Sequence, residues 1–331
     1  MNRFLCLIAS IVTVWIVGTS EYAVAQSVTL YTAGPEGLAK GIAKSFTDKT
    51  GIKVDVYQAT SGDVLARLEA EKSKPRADVA ILASWGEGLS VRERGFVESY
   101  SSPEAKKLRP QWSDGGLAAQ GGAALALILN SDLVKKEEQP QSWFDLTTPF
   151  WKDSLTMPDP TLSGSAAEFI AIFVQVHGQK AWKLFEDLAR NGLLVPGPNN
   201  AALNPVLSGA KKATLAGVDY ITYGQIAKGE KLAIHYPKEG TVVALRPMFV
   251  QQGALHRDEA HKLVDFMLSE EGQSLVAKTF LIPARAEIRA ERSTPGEFKM
   301  LAADWGFVQK NQTQIVGRFR KDIVEQIIQR R

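Results

Sequence analysis

Two stretches of the chain place a hydroxyl three residues ahead of a carboxylate, just before an apolar run. Thr60-Ser-Gly-Asp63 and Ser165-Ala-Ala-Glu168 both fit the capping box, in which the hydroxyl accepts from a backbone N–H of the first helical turn. Each lies by a glycine-containing loop, Ser61-Gly62 in one case and Ser163-Gly164-Ser165 in the other. Two readings stand side by side. Thr60 and Ser165 either cap only their own helices, or the helix starts also lend free N–H groups and partial positive charge to an anion. Two such starts from distant parts of the chain would make a two-sided oxyanion clamp. A third candidate is Asp219-Tyr220-Ile-Thr-Tyr223. Its oxygens suit a hard cation such as Fe(III), or one tyrosine packs while the other hydrogen-bonds in a pocket wall. Trp85 is either a stacking wall or core.

Other chemistries lack their motifs. The four histidines, His177, His235, His256 and His261, form no HExxH, and the last two are five apart, on different faces of a helix. There is no G-x-S-x-G elbow, and Cys6 is the one cysteine, so a disulfide framework is excluded. The glycine-dotted run Gly34-Pro-Glu-Gly37-Leu-Ala-Lys-Gly41 is neither GxGxxG nor a P-loop. With 331 residues, 45% hydrophobic and 23% charged, the chain has a globular composition. Its net charge of +3 is too balanced for a nucleic-acid binder.

The elements that must hold these candidates alternate between strand and helix. Val28–Tyr31 is a short β-type run, followed by a helix whose Leu38, Ile42 and Phe46 make one apolar stripe that ends at Gly51. Ile52, Val54 and Val56 alternate as in a strand, and a helix carrying Val64, Leu65 and Leu68 follows Thr60. Asp78–Leu82 is nearly all apolar, as a central parallel strand is. This order predicts an α/β fold with a parallel sheet covered by helices. Further strands are expected at 122–130, 215–218, 231–235 and 241–245, and helices at 166–176, 179–190 and 260–268. Residues 191–209 read as loop. In the basic tail, Ile323, Val324, Ile327 and Ile328 have the spacing of a docked terminal helix.

The N-terminus reads as an export signal. Arg3 precedes an uncharged apolar run over residues 4–18, and Ala23-Val24-Ala25 is a small-x-small cleavage pattern. The run falls short of the roughly 20 residues of a membrane span. Residues 1–25 are therefore expected to be a signal peptide, and the mature protein to be soluble.

The sequence resembles the periplasmic solute-binding proteins of ABC importers, in extracellular family 1, the branch with ferric-iron, phosphonate and sugar-phosphate binders. The residues that carry it are VTLYTAGPEGLAKGIAKSFTDKTGIKVDVYQATSGDVLARL (28–68), ADVAILAS (77–84), MPDPTLSGSAAEF (157–169), YPKEGTVV (236–243) and AHKLVDFMLSEEGQSLVAKTFLIPAR (260–285). The resemblance implies a two-lobed type II periplasmic binding fold with two crossovers and a ligand cleft between lobes. Lobe one would be 27–127 plus 246–331 and lobe two 128–245, hinged near Ala123–Asn130 and Val242–Leu245. It implies a monomer that is not an enzyme and binds no nucleic acid, with an inner-membrane ABC permease as partner.

Carried over by position, the ligand contacts would be Thr32, Ala33, Thr60, Ser61, Gly62, Ser84 and Trp85 from lobe one. Ser163, Gly164, Ser165, Asp219, Tyr220 and Glu239 would come from lobe two. The ferric members typically carry a histidine after the first strand and adjacent tyrosines in the second lobe. This chain has Thr32-Ala33-Gly34 there, and Tyr220 and Tyr223 are separated. The expected solute is thus a small phosphorylated or phosphonate-type anion with no cofactor. The alternative is Fe(III) held by Tyr220 and Tyr223. A remote one is a secreted phosphate-ester enzyme with Asp219 or Glu239 as acid/base. The export signal makes a direct prediction: protein recovered from periplasmic extract should begin at Gln26 by intact-mass analysis. A chain retaining Met1 would contradict it.

Overall fold

Leu38, Ile42 and Phe46 are buried on one side of the first helix because their i, i+4, i+8 spacing points them at the sheet beneath. The computed structural model describes residues 26–293 and 295–329, so the signal segment 1–25 lies outside the described residues. The chain opens with β1 (Ser27–Thr32), α1 (Glu36–Thr50), β2 (Lys53–Gln58), α2 (Ser61–Ala70), β3 (Val79–Ile81) and α3 (Trp85–Glu93). β1 lies between β2 and β3 and is parallel to both. The βαβαβ order gives the expected parallel pairing for these three strands, but β3 pairs antiparallel with the later strand over Val243–Val250, so the sheet as a whole is mixed rather than parallel. Gly51 closes α1 in the left-handed region, at φ 74°, where a side chain would be strained.

After the short β4 (Ser113–Asp114) comes β5 (Leu117–Asn130), fourteen residues long and buried throughout. Then follow β6 (Leu155–Thr156), α4 (Gly164–His177), α5 (Gln179–Arg190), α6 (Asn199–Leu207), β7 (Ala213–Val218), α7 (Asp219–Ile226), β8 (Leu232–His235) and β9 (Val243–Val250). The chain ends with α8 (Arg257–Leu268), α9 (Glu270–Ala277), β10 (Ile282–Pro283), α10 (Trp305–Phe319), a π-helical turn and α11 (Glu325–Gln329). Ile323, Val324 and Ile327 dock as expected, while Ile328 stays exposed.

β5 joins the two halves. Its first part, Ala118 to Ala124, pairs antiparallel with β9, and β9 pairs in turn with β3. From Leu125 to Asn130 it pairs instead with β7 and β8. One strand thus enters two lobes, changing partners between Ala124 and Leu125. The register against β9 slips between Ala119 and Gly122, so Gln120 and Gly121 together oppose Arg246. Such a bulge bends the strand and re-aims the side chains beside it.

The loop expected over 191–209 contains α6. Its asparagines and Pro205 argue against helix, but Leu203 and Val206 are buried against Ala126 and Ile128, and Asn130 Nδ2 donates to the Val206 carbonyl at 2.8 Å. Tertiary burial outweighs propensity there. No described helix is long and apolar enough to cross a membrane.

The segment after β10 is tied to α7 by an ion pair, in which both side chains are fully buried. Arg292 Nη1 donates to Asp219 Oδ1 at 2.8 Å, its Nη2 donates to Oδ2, and Tyr236 donates to Oδ2 at 2.8 Å. Removing one partner strands a buried charge, whereas replacing both with apolar groups does not. Arg292→Ala should therefore cost about 3–5 kcal/mol in urea unfolding, and Asp219→Leu with Arg292→Met much less. A single-variant cost below about 1 kcal/mol would contradict this account of the tie.

Candidate functional site

The ends of β1 and β2 and the starts of five helices open onto one cavity of about 670 Å³. Pro35 and Glu36 bring the start of α1, Thr60 and Ser61 that of α2, and Ser163 and Gly164 that of α4. Pro198 and Asn199 bring the start of α6, and Tyr220 and Ile221 that of α7. Each start brings the positive end of a helix dipole to the wall of that space, with Thr60 and Ser163 already accepting from first-turn N–H groups of α2 and α4. Arg246 of β9 supplies the only full positive charge among the described lining residues.

Arg246 is 2% exposed, and its position follows from the β5 bulge opposite it. Its Nη2 donates to the Ala33 carbonyl, but Nε has no hydrogen-bond partner. Burial pulls this guanidinium below its ordinary range, while Tyr220 and Glu87 pull it back up. A buried N–H without an acceptor is costly, so this group is left short of one oxygen.

Ala33, Thr60, Ser61, Ser163, Gly164 and Tyr220 line the cavity, as expected from the sequence. Thr60 makes the capping box: it accepts from Asp63 N at 3.2 Å and donates to Asp63 Oδ2 at 2.7 Å. Thr32 and Gly62 sit just behind the wall. Thr32 Oγ1 accepts from Gly34 N at 2.9 Å and shapes the loop after β1.

The remaining expected contacts are elsewhere. Ser84 is fully buried, capping α3 and donating to Glu168 Oε2 at 2.7 Å. Trp85 is 2% exposed in the core with Leu82 and Leu89, so it is no stacking wall. Ser165 does not cap α4: the helix starts earlier, and Ser163 Oγ accepts from Ala166 N at 3.2 Å. Glu168 likewise turns away from any capping box and accepts from Gly86 N at 3.2 Å and Leu245 N at 3.3 Å. Asp219 is consumed by Arg292 and Tyr236. Glu239 accepts from the Ser142 hydroxyl and from Trp143 N, holding a loop outside the cavity. Tyr223 does not join Tyr220; its hydroxyl accepts from Ser293 N at 3.1 Å and its ring stacks on Phe280. No group of three or more His, Cys, Asp or Glu among the described residues could hold a metal ion.

Two residues escaped the sequence reading, Arg246 and Glu87. An arginine inside the apolar run Val242–Val250 was the available signal, since a charge in a buried strand is paired or functional. Glu87, in the first turn of α3, had none.

The lobes touch across the cavity. A Cβ on Gly62 of α2 would lie 2.7 Å from the Thr161 carbonyl oxygen, in the loop before α4. Gly62→Ala should favour α2 itself by about 0.5–1 kcal/mol while opposing this closed contact. The expected outcome is an unlowered melting temperature together with a larger radius of gyration in solution scattering. A scattering profile identical to wild type would contradict it.

Similar proteins share this framework. The periplasmic binding protein AfuA from Actinobacillus pleuropneumoniae, solved with exogenous fructose-6-phosphate, is 26% identical with a TM-score of 0.81, over 90% of this chain and 99% of that one. Iron-bound HitA from Pseudomonas aeruginosa, 22% identical over the same shares, superposes with a TM-score of 0.81 and so has the same two-lobed fold. The major ferric iron-binding protein of Neisseria meningitidis serogroup B is 24% identical over 257 residues, 74% of this chain and 77% of the relative. Residues 88–311, more than half of the chain, match the family described as bacterial extracellular solute-binding protein, and the protein belongs to that family.

Proposed function

We propose that the protein is the periplasmic receptor of an ABC importer, and that its solute is a small phosphorylated or phosphonate-type anion held in the cleft. The observation that carries this reading is the free Nε of buried Arg246, set among five helix starts. A phosphoryl group has enough acceptor oxygens to meet several N–H donors and a guanidinium at once. The fructose-6-phosphate in the similar AfuA structure adds support for a sugar phosphate. Residues 27–127 with 246–331 are read as one lobe and 128–245 as the other; the change of strand partners along β5 at Ala124–Leu125 supports this division, while the end of the chain crosses over to pack on α7 and α5 of the second lobe through Arg292 and Phe319. The permease that receives the solute would dock on these lobes. A ferric ion would have Tyr220 without Tyr223, whose hydroxyl is engaged by Ser293.

A thermal-shift and calorimetric screen of phosphorylated compounds, phosphonates and ferric citrate tests the proposal. Sugar phosphates or phosphonates should raise the melting temperature, with no coloured complex from ferric citrate. Arg246→Met should weaken phosphoryl binding by roughly 100-fold, the loss of one or two charge-assisted hydrogen bonds. A coloured ferric complex that survives Arg246→Met and is lost in Tyr220→Phe would overturn it.

A further inference from the structure

Glu87 stands directly behind Ser61 and Gly164 of the cavity wall, and the capping pattern leaves its role open. It stands three residues after Ser84, the N-cap of α3, where a glutamate ordinarily turns back to cap its own helix. Instead its carboxyl reaches across to the other lobe. A Cβ on Gly164 would lie 2.6 Å from Glu87 Oε2 and 2.7 Å from Ser61 Oγ, and both Gly164 and Ser61 line the cavity. Only a glycine at the start of α4 leaves room for this approach. Oε2 is shut off from solvent and has no hydrogen-bond partner. The charged groups that face it are Glu168 from α4 and Arg246 from β9; Ser61 of α2 stands beside it.

We propose that Glu87 is a further ligand-contacting residue of the cleft, donating a carboxyl O–H from its free oxygen to an oxygen of the bound anion. The proposal rests on reading the cleft as an oxyanion site. Burial and the neighbouring Glu168 push Glu87 up to about 8, so at neutral pH it is the uncharged acid. An uncharged acid lacking an acceptor complements the free N–H of Arg246: both seek oxygens of the same anion. As carboxylate, Glu87 would instead repel that anion. The receptor therefore favours a fully ionised phosphoryl group, rich in acceptors, and binds it with a retained or captured proton.

The sign follows from linkage. An anion beside Glu87 raises its pKa further, so affinity is fully present below pH 8 and falls as pH rises beyond it. A phosphate monoester has its second pKa at about 6, so between pH 7 and 8.5 it is predominantly the dianion and only Glu87 changes its charge. Calorimetry of fructose 6-phosphate binding at pH 8.5, in two buffers of different ionisation enthalpy, reads the proton directly. Wild type should take up roughly three-quarters of a proton per solute, and Glu87→Gln, which keeps a donor but cannot titrate, none. Glu87→Ala should weaken binding at pH 7 by about ten- to 100-fold. Tight binding at pH 7 with no proton uptake at pH 8.5, or equal uptake in Glu87→Gln, would overturn the role of Glu87 and leave the receptor reading standing. Absence of binding at pH 7 by every phosphorylated compound and phosphonate of the thermal-shift screen would overturn both.

Discussion

Arg246 is a guanidinium taken out of water at the junction of two lobes, and such a charge costs several kcal/mol unless oxygens surround it. The protein provides one, the Ala33 carbonyl, and leaves Nε buried without a partner in a side chain that lines the cavity. The helix starts that gather around the same space add positive potential rather than relieve it. The two nearest buried acids do not neutralise the site either. Glu168 spends its oxygens on Ser84, Gly86 and Leu245, and is itself pushed up to about 7 by burial. The arrangement is thus incomplete in one direction, and the proposed anion would complete it.

The backbone explains why this charge can be both buried and shared. β5 serves one lobe up to Ala124 and the other from Leu125. Arg246 lies on its partner β9, opposite the bulge at Gln120 and Gly121, so its side chain is aimed at the seam. Gly62 and Gly164 lie on the two sides of that seam, where a Cβ would come 2.7 Å from the Thr161 carbonyl oxygen and 2.6 Å from Glu87 Oε2, respectively. In the proposed receptor, ligand, glycine contacts and the strands joining the lobes would therefore act on one coordinate, the opening of the cleft.

Local patterns were the legible part of the sequence. The stripe Leu38, Ile42, Phe46 and the all-apolar run Val79–Ile81 specify their elements through periodicity, and the Thr60 box caps α2 as read. Helix starts near Ser61 and Ser163 were visible for the same reason. What was not legible depends on distant partners. Asp219 looked free for a ligand because Arg292 is 73 residues away in sequence. Glu168 looked like a capping acid because its true partners, Ser84 and Leu245, come from other elements. α6 was hidden by Pro205 and rescued by packing on β5. Arg246 could have been suspected from its apolar setting, but only the β5 bulge tells where it points.

The most direct test of the account is a crystal structure of the complex with fructose 6-phosphate. In that complex a phosphoryl oxygen should lie within about 2.7–3.2 Å of Arg246 Nε, with the remaining oxygens facing the starts of α2 and α4. A phosphoryl group seated elsewhere, with Arg246 Nε still unpartnered, would contradict it.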